Sequence, residues 1–111
     1  MNRMSDMNDY IMIFSTCPGS ITAKQIAQDL VANSRAACVN VIPGVHSYFK
    51  WGNKVDVKEE YLLVIKTRAD LFEQVKKDIL SLHPYELPEI ISVPLKDGFD
   101  GYLNWVNQVT K

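Results

Sequence analysis

The stretch VNVIPGVHSYFKWGNKVDVKEEYLLVIKT (residues 39–67) decides the fold, because it reads as two long strands joined by a tight turn. Its valines and aromatic residues favour strands, and Gly52-Asn53 is a turn signal. Pro43-Gly44 interrupts the outgoing arm and predicts a bulge or bend. The return arm alternates apolar and charged residues and then becomes wholly apolar over 61–65, so we expect its second half to be buried on both faces.

The predicted hairpin is long for a chain of 111 residues. The outgoing arm, Val39–Trp51, would span about 40 Å when extended, whereas a compact domain of this size is roughly 34 Å across. The tip should therefore project, and it carries Tyr48, Phe49 and Trp51. Exposed aromatic residues on a strand edge invite association, so we predict that a second copy of the chain covers them. The alternative is that the hairpin folds back onto its own sheet.

Five more segments show strand or helix periodicity on either side of the hairpin. They are a buried strand over Tyr10–Phe14, a helix that begins with a cap at Ser20 or Thr22 and ends near Arg35, a helix from Asp70 to the residue before Pro84, a strand over Glu89–Leu95 and a short helix over Tyr102–Val109. The order β-α-β-β-α-β-α predicts an α+β fold, the ferredoxin-like βαββαβ sandwich with an extra C-terminal helix. In that fold two helices pack on one face of a four-stranded antiparallel sheet.

Composition predicts one ordinary globular domain over residues 10–111, preceded by a flexible tail over residues 1–9. Twelve basic and 13 acidic residues give a net charge of −1, and no basic cluster points to nucleic acid. No apolar run approaches the length that spans a bilayer, so we expect a cytoplasmic protein that does not associate with membranes. The two cysteines are expected to be thiols.

Several segments, in this order, resemble the CutA family over nearly the whole chain after residue 9. They are SRAACVNVIPGV (34–45), Trp51, EEYLLVIKT (59–67), SLHPYELPEI (81–90) and YLNW (102–105). The resemblance implies a homotrimer whose long hairpins reach neighbouring subunits. It also implies a role in tolerance to divalent cations, copper above all, and an architecture similar to the PII signalling proteins, which bind small effectors between subunits.

Copper would need imidazole or thiol ligands, and the chain offers Cys17, Cys38, His46 and His83. Their spacings form no tight metal motif, so the fold or the trimer would have to assemble a site. We predict His83, in a loop expected to face solvent, and Cys38 as ligands. The alternatives are a structurally hydrogen-bonded His83 and a buried, apolar Cys38. Cys17 has no cation nearby in sequence to activate it, and His46 is more typical of an interface. We expect copper or another divalent cation to bind, but folding to need no metal.

A second set of residues is placed around a cleft between subunits by the resemblance to the CutA pattern. It comprises Lys66, Tyr85, Glu59, Glu60, Glu89 and Trp51. A lysine, a phenol and carboxylates can bind a small anion or a hydrated cation. The alternative is a solvated strand segment at Glu59-Glu60 and, at Lys66, an edge charge that prevents aggregation.

Catalysis is not expected, because neither histidine stands next to a serine or cysteine in a nucleophile motif and no phosphate-binding glycine motif is present. Two hypotheses follow: a metal-binding protein in divalent-cation tolerance, or a small-molecule sensor or interaction module with a ligand in the intersubunit cleft. A hydrolase assembled from distant residues is the weakest alternative.

Overall fold

A computed structural model describes residues 9–111; the predicted tail, apart from Asp9, lies outside that range. Four strands and three helices follow one another in the predicted order. They are β1 (Tyr10–Cys17), α1 (Ser20–Ala32), β2 (Cys38–Trp51), β3 (Lys54–Arg68), α2 (Phe72–Leu82), β4 (Ile91–Pro94) and α3 (Asp100–Gln108), with a 3₁₀ turn over Ala69–Leu71 before α2.

The four strands form one antiparallel sheet in the order β2-β3-β1-β4, which confirms the ferredoxin-like prediction. Alternate residues of β1 and β3, among them Ile13 and Ile65, are fully buried on one face. Helices α1 and α2 pack against that face through Ile26 and Ile79. The alternate apolar residues of the strands and the apolar residues spaced three or four apart in the helices thus pack together in a single core.

The start of α1 differs from the prediction. Neither Ser20 nor Thr22 caps the helix; the N-cap is Gly19, whose backbone is extended and which offers no side-chain hydrogen bond. The helix ends at Ala32 because Ser34 adopts a left-handed conformation, with φ of 61°. The amides of Arg35 and Ala36 then bond back to the carbonyl of Leu30, which closes the helix as a left-handed C-terminal turn does.

The hairpin of β2 and β3 projects from the body, as predicted. The strands have 14 and 15 residues, and the subunit measures 51 × 27 × 22 Å. Tyr48 and Trp51 at the tip are 74% and 70% exposed. The hairpin therefore does not fold back onto its own sheet.

A bulge at Pro43-Gly44 decides which face each hairpin side chain occupies. The register between β2 and β3 shifts between Ile42 and Val45, and Gly44 has a φ of 77°. One extra residue in β2 reverses the odd-even alternation beyond it. Phe49 and Trp51 consequently lie on the same side of the sheet as Ile42, whereas Tyr48 lies on the other side.

The face of the sheet opposite α1 and α2, which we call the open face, is mostly apolar. Its central and edge positions are partly or largely exposed in the subunit: Met12, Phe14, Ile42, Leu62, Val64, Ile91 and Val93. Through the bulge this surface continues into Phe49 and Trp51 on the hairpin. The subunit thus has a large apolar surface that joins the sheet to the hairpin tip.

Candidate functional site

A polar cluster lies where β1 ends and the hairpin leaves the body. We call it the rim cluster and define it as Lys58, Glu60, His83 and Tyr85. Glu60 immediately precedes Tyr61, which forms the last residue pair of β1 and β3 with Cys17. The loop after α2 brings His83 and Tyr85 alongside. The rings of His83 and Tyr85 lie 4.8 Å apart, so the loop and the base of the hairpin form one polar contact.

Glu60 is the buried carboxylate of the rim cluster, with only 5% of its surface exposed. The Tyr85 hydroxyl donates to its Oε2 at 2.8 Å, and the Lys58 ammonium lies 4.8 Å from the centre of the Tyr85 ring. Burial, and next the hydrogen bond and negative charge of Glu60, raise the pKa of Tyr85 to about 12. Tyr85 therefore stays protonated and serves Glu60 as a donor.

His83 does not face solvent as the sequence led us to expect; it is 8% exposed. Strand β4 pairs with β1 only as far as Phe14, and the His83 ring fills the space beyond it. Its Nε2 lies 2.8 Å from the carbonyl oxygen of Thr16, and its Nδ1 accepts the amide of Tyr85 at 3.1 Å. Because a carbonyl can only accept, this arrangement requires a neutral ring protonated at Nε2, and both nitrogens are occupied.

Cys17 is fully buried at the end of β1. Burial raises the pKa of its thiol, the hydrogen bond from the Gly19 backbone opposes that rise, and the charge of Glu60 adds to it. A thiol with a raised pKa is a poor nucleophile and a poor metal ligand. Cys17 is therefore a poor candidate for either role.

A second polar cluster interrupts the open face near its other end. We call it the open-face cluster and define it as Cys38, Asn40, Lys66 and Tyr102. Cys38 is directly opposite Lys66 in the register of β2 and β3, and the Lys66 ammonium donates to Asn40 Oδ1. Burial raises the pKa of the Tyr102 hydroxyl, and the neighbouring Cys38 thiol raises it further. Cys38 itself is partly exposed.

The predicted metal ligands His83 and Cys38 belong to different clusters. Cys38 pairs with Lys66, whereas Thr16, the partner of His83, pairs with Leu62. Four residues of β3 therefore separate them, or about 13 Å along the strand. Across residues 9–111, no three His, Cys, Asp or Glu side chains come together as a metal site. A site that uses both residues would need groups from more than one subunit.

The predicted cleft residues also lie in different parts of the subunit. Glu60 and Tyr85 meet in the rim cluster, whereas Lys66 belongs to the open-face cluster. Glu59 lies opposite His46 on the other face of the hairpin, and Trp51 is at the tip. Glu89 is exposed in the loop before β4. Only copies of the chain placed side by side can bring all six residues to one cleft.

Sequence reasoning missed Thr16, Lys58, Asn40 and Tyr102. The spacing of Lys58 and Glu60, two residues apart on one strand face, was a usable signal for the rim cluster. The other three depend on contacts between distant segments, such as the 67 residues between Thr16 and His83. Local patterns carry no information about those contacts.

Comparison with known proteins finds one family over nearly the whole chain. The model of the CutA1 divalent ion tolerance protein family matches residues 11–109. Protein CutA of Mus musculus is 42% identical over 98 residues, which make up 88% of this chain and 55% of the mouse protein. The divalent-cation tolerance protein CutA of Thermus thermophilus is 38% identical over 104 residues, 94% of this chain and 99% of that protein. The chain thus spans just over half of the mouse relative.

Solved structures agree with this match. The crystal structure of CutA from Xylella fastidiosa superposes with a TM-score of 0.91 at 39% identity, and covers 93% of this chain and 99% of that one. CutA1 from Oryza sativa gives a TM-score of 0.92 at 34% identity, with 95% and 96% covered. Both the order of the elements and their packing are therefore shared with these proteins.

Proposed function

Since the chain belongs to the CutA1 divalent ion tolerance family, we propose that it acts in divalent-cation tolerance as a homotrimer that binds copper or another divalent cation. The observation that carries the proposal is the apolar surface that joins the open face to the hairpin tip. Ile91 is 54% exposed and Trp51 70%. Large contiguous apolar surfaces of this kind typically mark protein interfaces.

A closed ring suits this surface better than a two-fold dimer. The hairpin carries exposed apolar side chains on both faces, with Trp51 on one and Tyr48 and Val55 on the other. Covering both faces requires a neighbour on each side. An interface between unlike patches that closes on itself forms a ring, and three subunits form the smallest ring.

The metal site of the proposal centres on Cys38. It is the thiol with access to solvent and to the open face, whereas Cys17 is buried with a raised pKa. Thiolates are soft ligands that suit copper and zinc better than hard cations such as Mg²⁺. One thiol per subunit is too few ligands, so copies of Cys38, or Cys38 and His83 from neighbouring subunits, would share the ion. His83 must give up one of its two hydrogen bonds to take part.

Copper titration followed by calorimetry tests this site. We expect Cys38→Ser to lower the number of copper ions bound per subunit and His83→Ala to weaken their binding. Cys17→Ser is the matched control and should bind copper as the unaltered protein does. Unchanged stoichiometry and affinity in both Cys38→Ser and His83→Ala would remove the assigned ligands, provided that both variants keep their melting temperature.

A second candidate function is a sensor that binds a small molecule between subunits. The rim cluster favours it, because a buried carboxylate, a phenol and an ammonium lie together at the base of a projecting hairpin. Completion of the cleft by Lys66, Glu59, Glu89 and Trp51 requires neighbouring subunits. A thermal-shift screen of metabolites should find a ligand whose effect is lost in Tyr85→Phe. A screen without any stabilising metabolite would count against the sensor.

The proposal includes a cytoplasmic location and binding without catalysis. None of the helices within residues 9–111 is long and apolar enough to cross a membrane. Relatives from Arabidopsis thaliana and Oryza sativa are named chloroplastic, and a structure from Archaeoglobus fulgidus is described as periplasmic. Cell fractionation with an antibody to the chain decides the location, and recovery outside the cytoplasmic fraction would contradict it.

A further inference from the structure

A small cleft lies at the end of the sheet opposite the rim cluster. Its volume is about 240 Å³, and it opens between the start of β1, the end of β3 and the last turns of α3. Its lining mixes polar and apolar surface and contains both charge signs: Asp9, Tyr10, Arg68, Ala69, Asp70 and Asn107. The metal and cleft predictions above use none of these residues.

The strand register places the charged groups of the cleft. Tyr10 faces Arg68 as the first residue pair of β1 and β3. The Ala69 amide donates to the Asp9 carbonyl at 2.8 Å, which fixes the backbone of Asp9 beside the arginine. Arg68 Nε donates to Asp70 Oδ1 at 3.1 Å. This ion pair orients the guanidinium plane, since Nε lies on one edge of the fork.

We propose that this cleft binds a free α-amino acid. The end of the Arg68 guanidinium, with its paired Nη groups, can take the ligand carboxylate in the bidentate geometry that arginine favours. Asp9 supplies a carboxylate for the ligand ammonium, because the Arg68 ion pair within residues 9–111 is made with Asp70. The Asn107 amide and the Tyr10 hydroxyl add neutral donors and acceptors around the ligand backbone.

Size and charge favour a small zwitterion over the other ligand classes. Pockets for drug-sized ligands and cofactors occupy about 300–1,000 Å³, so a cleft of about 240 Å³ is too small for a nucleotide. A bare divalent cation would be repelled by Arg68, and Asp9 and Asp70 do not belong to any three-ligand cluster in residues 9–111. A simple anion would be attracted by Arg68 but repelled by the carboxylates of Asp9 and Asp70. A zwitterion satisfies both charges.

Calorimetry of the whole protein with L-amino acids tests the proposal, and derivatives that remove one charge at a time make the test specific. We expect at least one free amino acid to bind, and its N-acetyl and amide derivatives to bind about tenfold more weakly or not at all. Asp9→Asn and Arg68→Met should each weaken binding to a similar extent. Arg35→Met, which removes the arginine of the Arg35–Asp78 pair elsewhere on the surface, is the matched control and should bind as the unaltered protein does.

Three outcomes would overturn the proposal: no amino acid binds, the derivatives bind as well as the free amino acid, or Asp9→Asn binds unchanged. Asp9 is exposed, so Asp9→Asn should fold. It therefore tests the proposal even if Arg68→Met does not fold. None of the cleft residues belongs to the proposed copper site, so this inference and the proposed copper binding fail separately.

Discussion

Ser15 lies in the middle of β1 and faces the helices from a fully buried position. Within residues 9–111 its hydroxyl has no hydrogen-bond partner. A buried hydroxyl without a partner costs about 1–3 kcal/mol of desolvation. Ser15→Ala should therefore raise the free energy of unfolding by about 1 kcal/mol, measured by urea denaturation at a fixed protein concentration.

Thr67 provides the contrast for this prediction. It is also buried, but its hydroxyl donates to the Arg35 carbonyl at 2.5 Å. Thr67→Val keeps the shape of the side chain and removes the donor, so it should lower the free energy of unfolding by about 1 kcal/mol. Equal effects of Ser15→Ala and Thr67→Val would mean that hydrogen bonding does not explain either residue.

The hydrogen bond from Tyr85 to Glu60 should be visible in a pH titration. The pKa of Tyr85 is raised from 10.0 to about 12 in the folded protein, so the folded state holds this proton more tightly than the unfolded chain. The stability that it contributes is present below pH 10 and is lost as the pH rises from 10 towards 12. Absorbance titration should show a tyrosine with a pKa of about 12 that is missing in Tyr85→Phe.

Stability measurements complete this test. Tyr85→Phe leaves Glu60 buried without its donor and should cost about 1–3 kcal/mol at neutral pH. Tyr48→Phe removes a hydroxyl from an exposed position and should change the free energy of unfolding little. If the tyrosine with a pKa of about 12 persists in Tyr85→Phe, its assignment to Tyr85 is wrong.

Single-residue roles were the least predictable part of the molecule. That Pro84 ends a helix follows from local sterics, and α2 does end at Leu82. What His83 meets there depends on where β4 stops pairing with β1, which no local pattern encodes. The same is true of Cys38, whose neighbours Lys66 and Tyr102 come from two other elements.

At the scale of elements, the hairpin and the bulge followed from sequence because each has a local signature. Alternation and aromatic content predict strands, and a Pro-Gly interruption predicts a bulge. The face on which Phe49 and Trp51 lie depends on the strand register. The bulge adds one residue to β2 and so reverses which residues point to each face. The sequence therefore predicted a projecting aromatic tip but not that Tyr48 would lie on the opposite face.

Gly44 should be required for the bulge. It has a φ of 77°, and an added Cβ would meet nothing within 4 Å, so any cost of substitution comes from the backbone alone. Gly44→Ala should lower the free energy of unfolding by about 1–2 kcal/mol. Gly44→Asn should cost less, because asparagine tolerates this conformation. Equal losses in thermal denaturation would show that the left-handed backbone is not the reason.

The hairpin aromatics should act on assembly more than on the subunit fold. Phe49→Ala and Trp51→Ala remove two neighbouring aromatic rings at the hairpin tip, whose centres lie 6.5 Å apart. We expect both variants to dissociate at higher protein concentration than the unaltered chain. Ile21→Ala, on the outer side of α1 and 81% exposed, is the control. An Ile21→Ala variant that dissociates as readily would rule out a specific role for the tip.

At the scale of the whole molecule, the isolated subunit leaves a large apolar surface uncovered. One face of the sheet is covered by two helices, whereas the open face and the hairpin that continues it retain apolar side chains in solvent. The rim cluster and the open-face cluster lie at opposite ends of that surface. Assembly would therefore both bury apolar area and bring polar residues of different subunits together, which links the oligomer to any ligand site.

The mass of the protein in solution tests this account most directly. Sedimentation equilibrium at micromolar concentration, without added metal, should give three times the 12.6 kDa mass of one chain. The open face and the hairpin tip would then be buried between copies, and the clusters could meet across the interfaces. A particle of 12.6 kDa under the same conditions would contradict the account, since the apolar surface would have no partner copy and no shared cleft would exist.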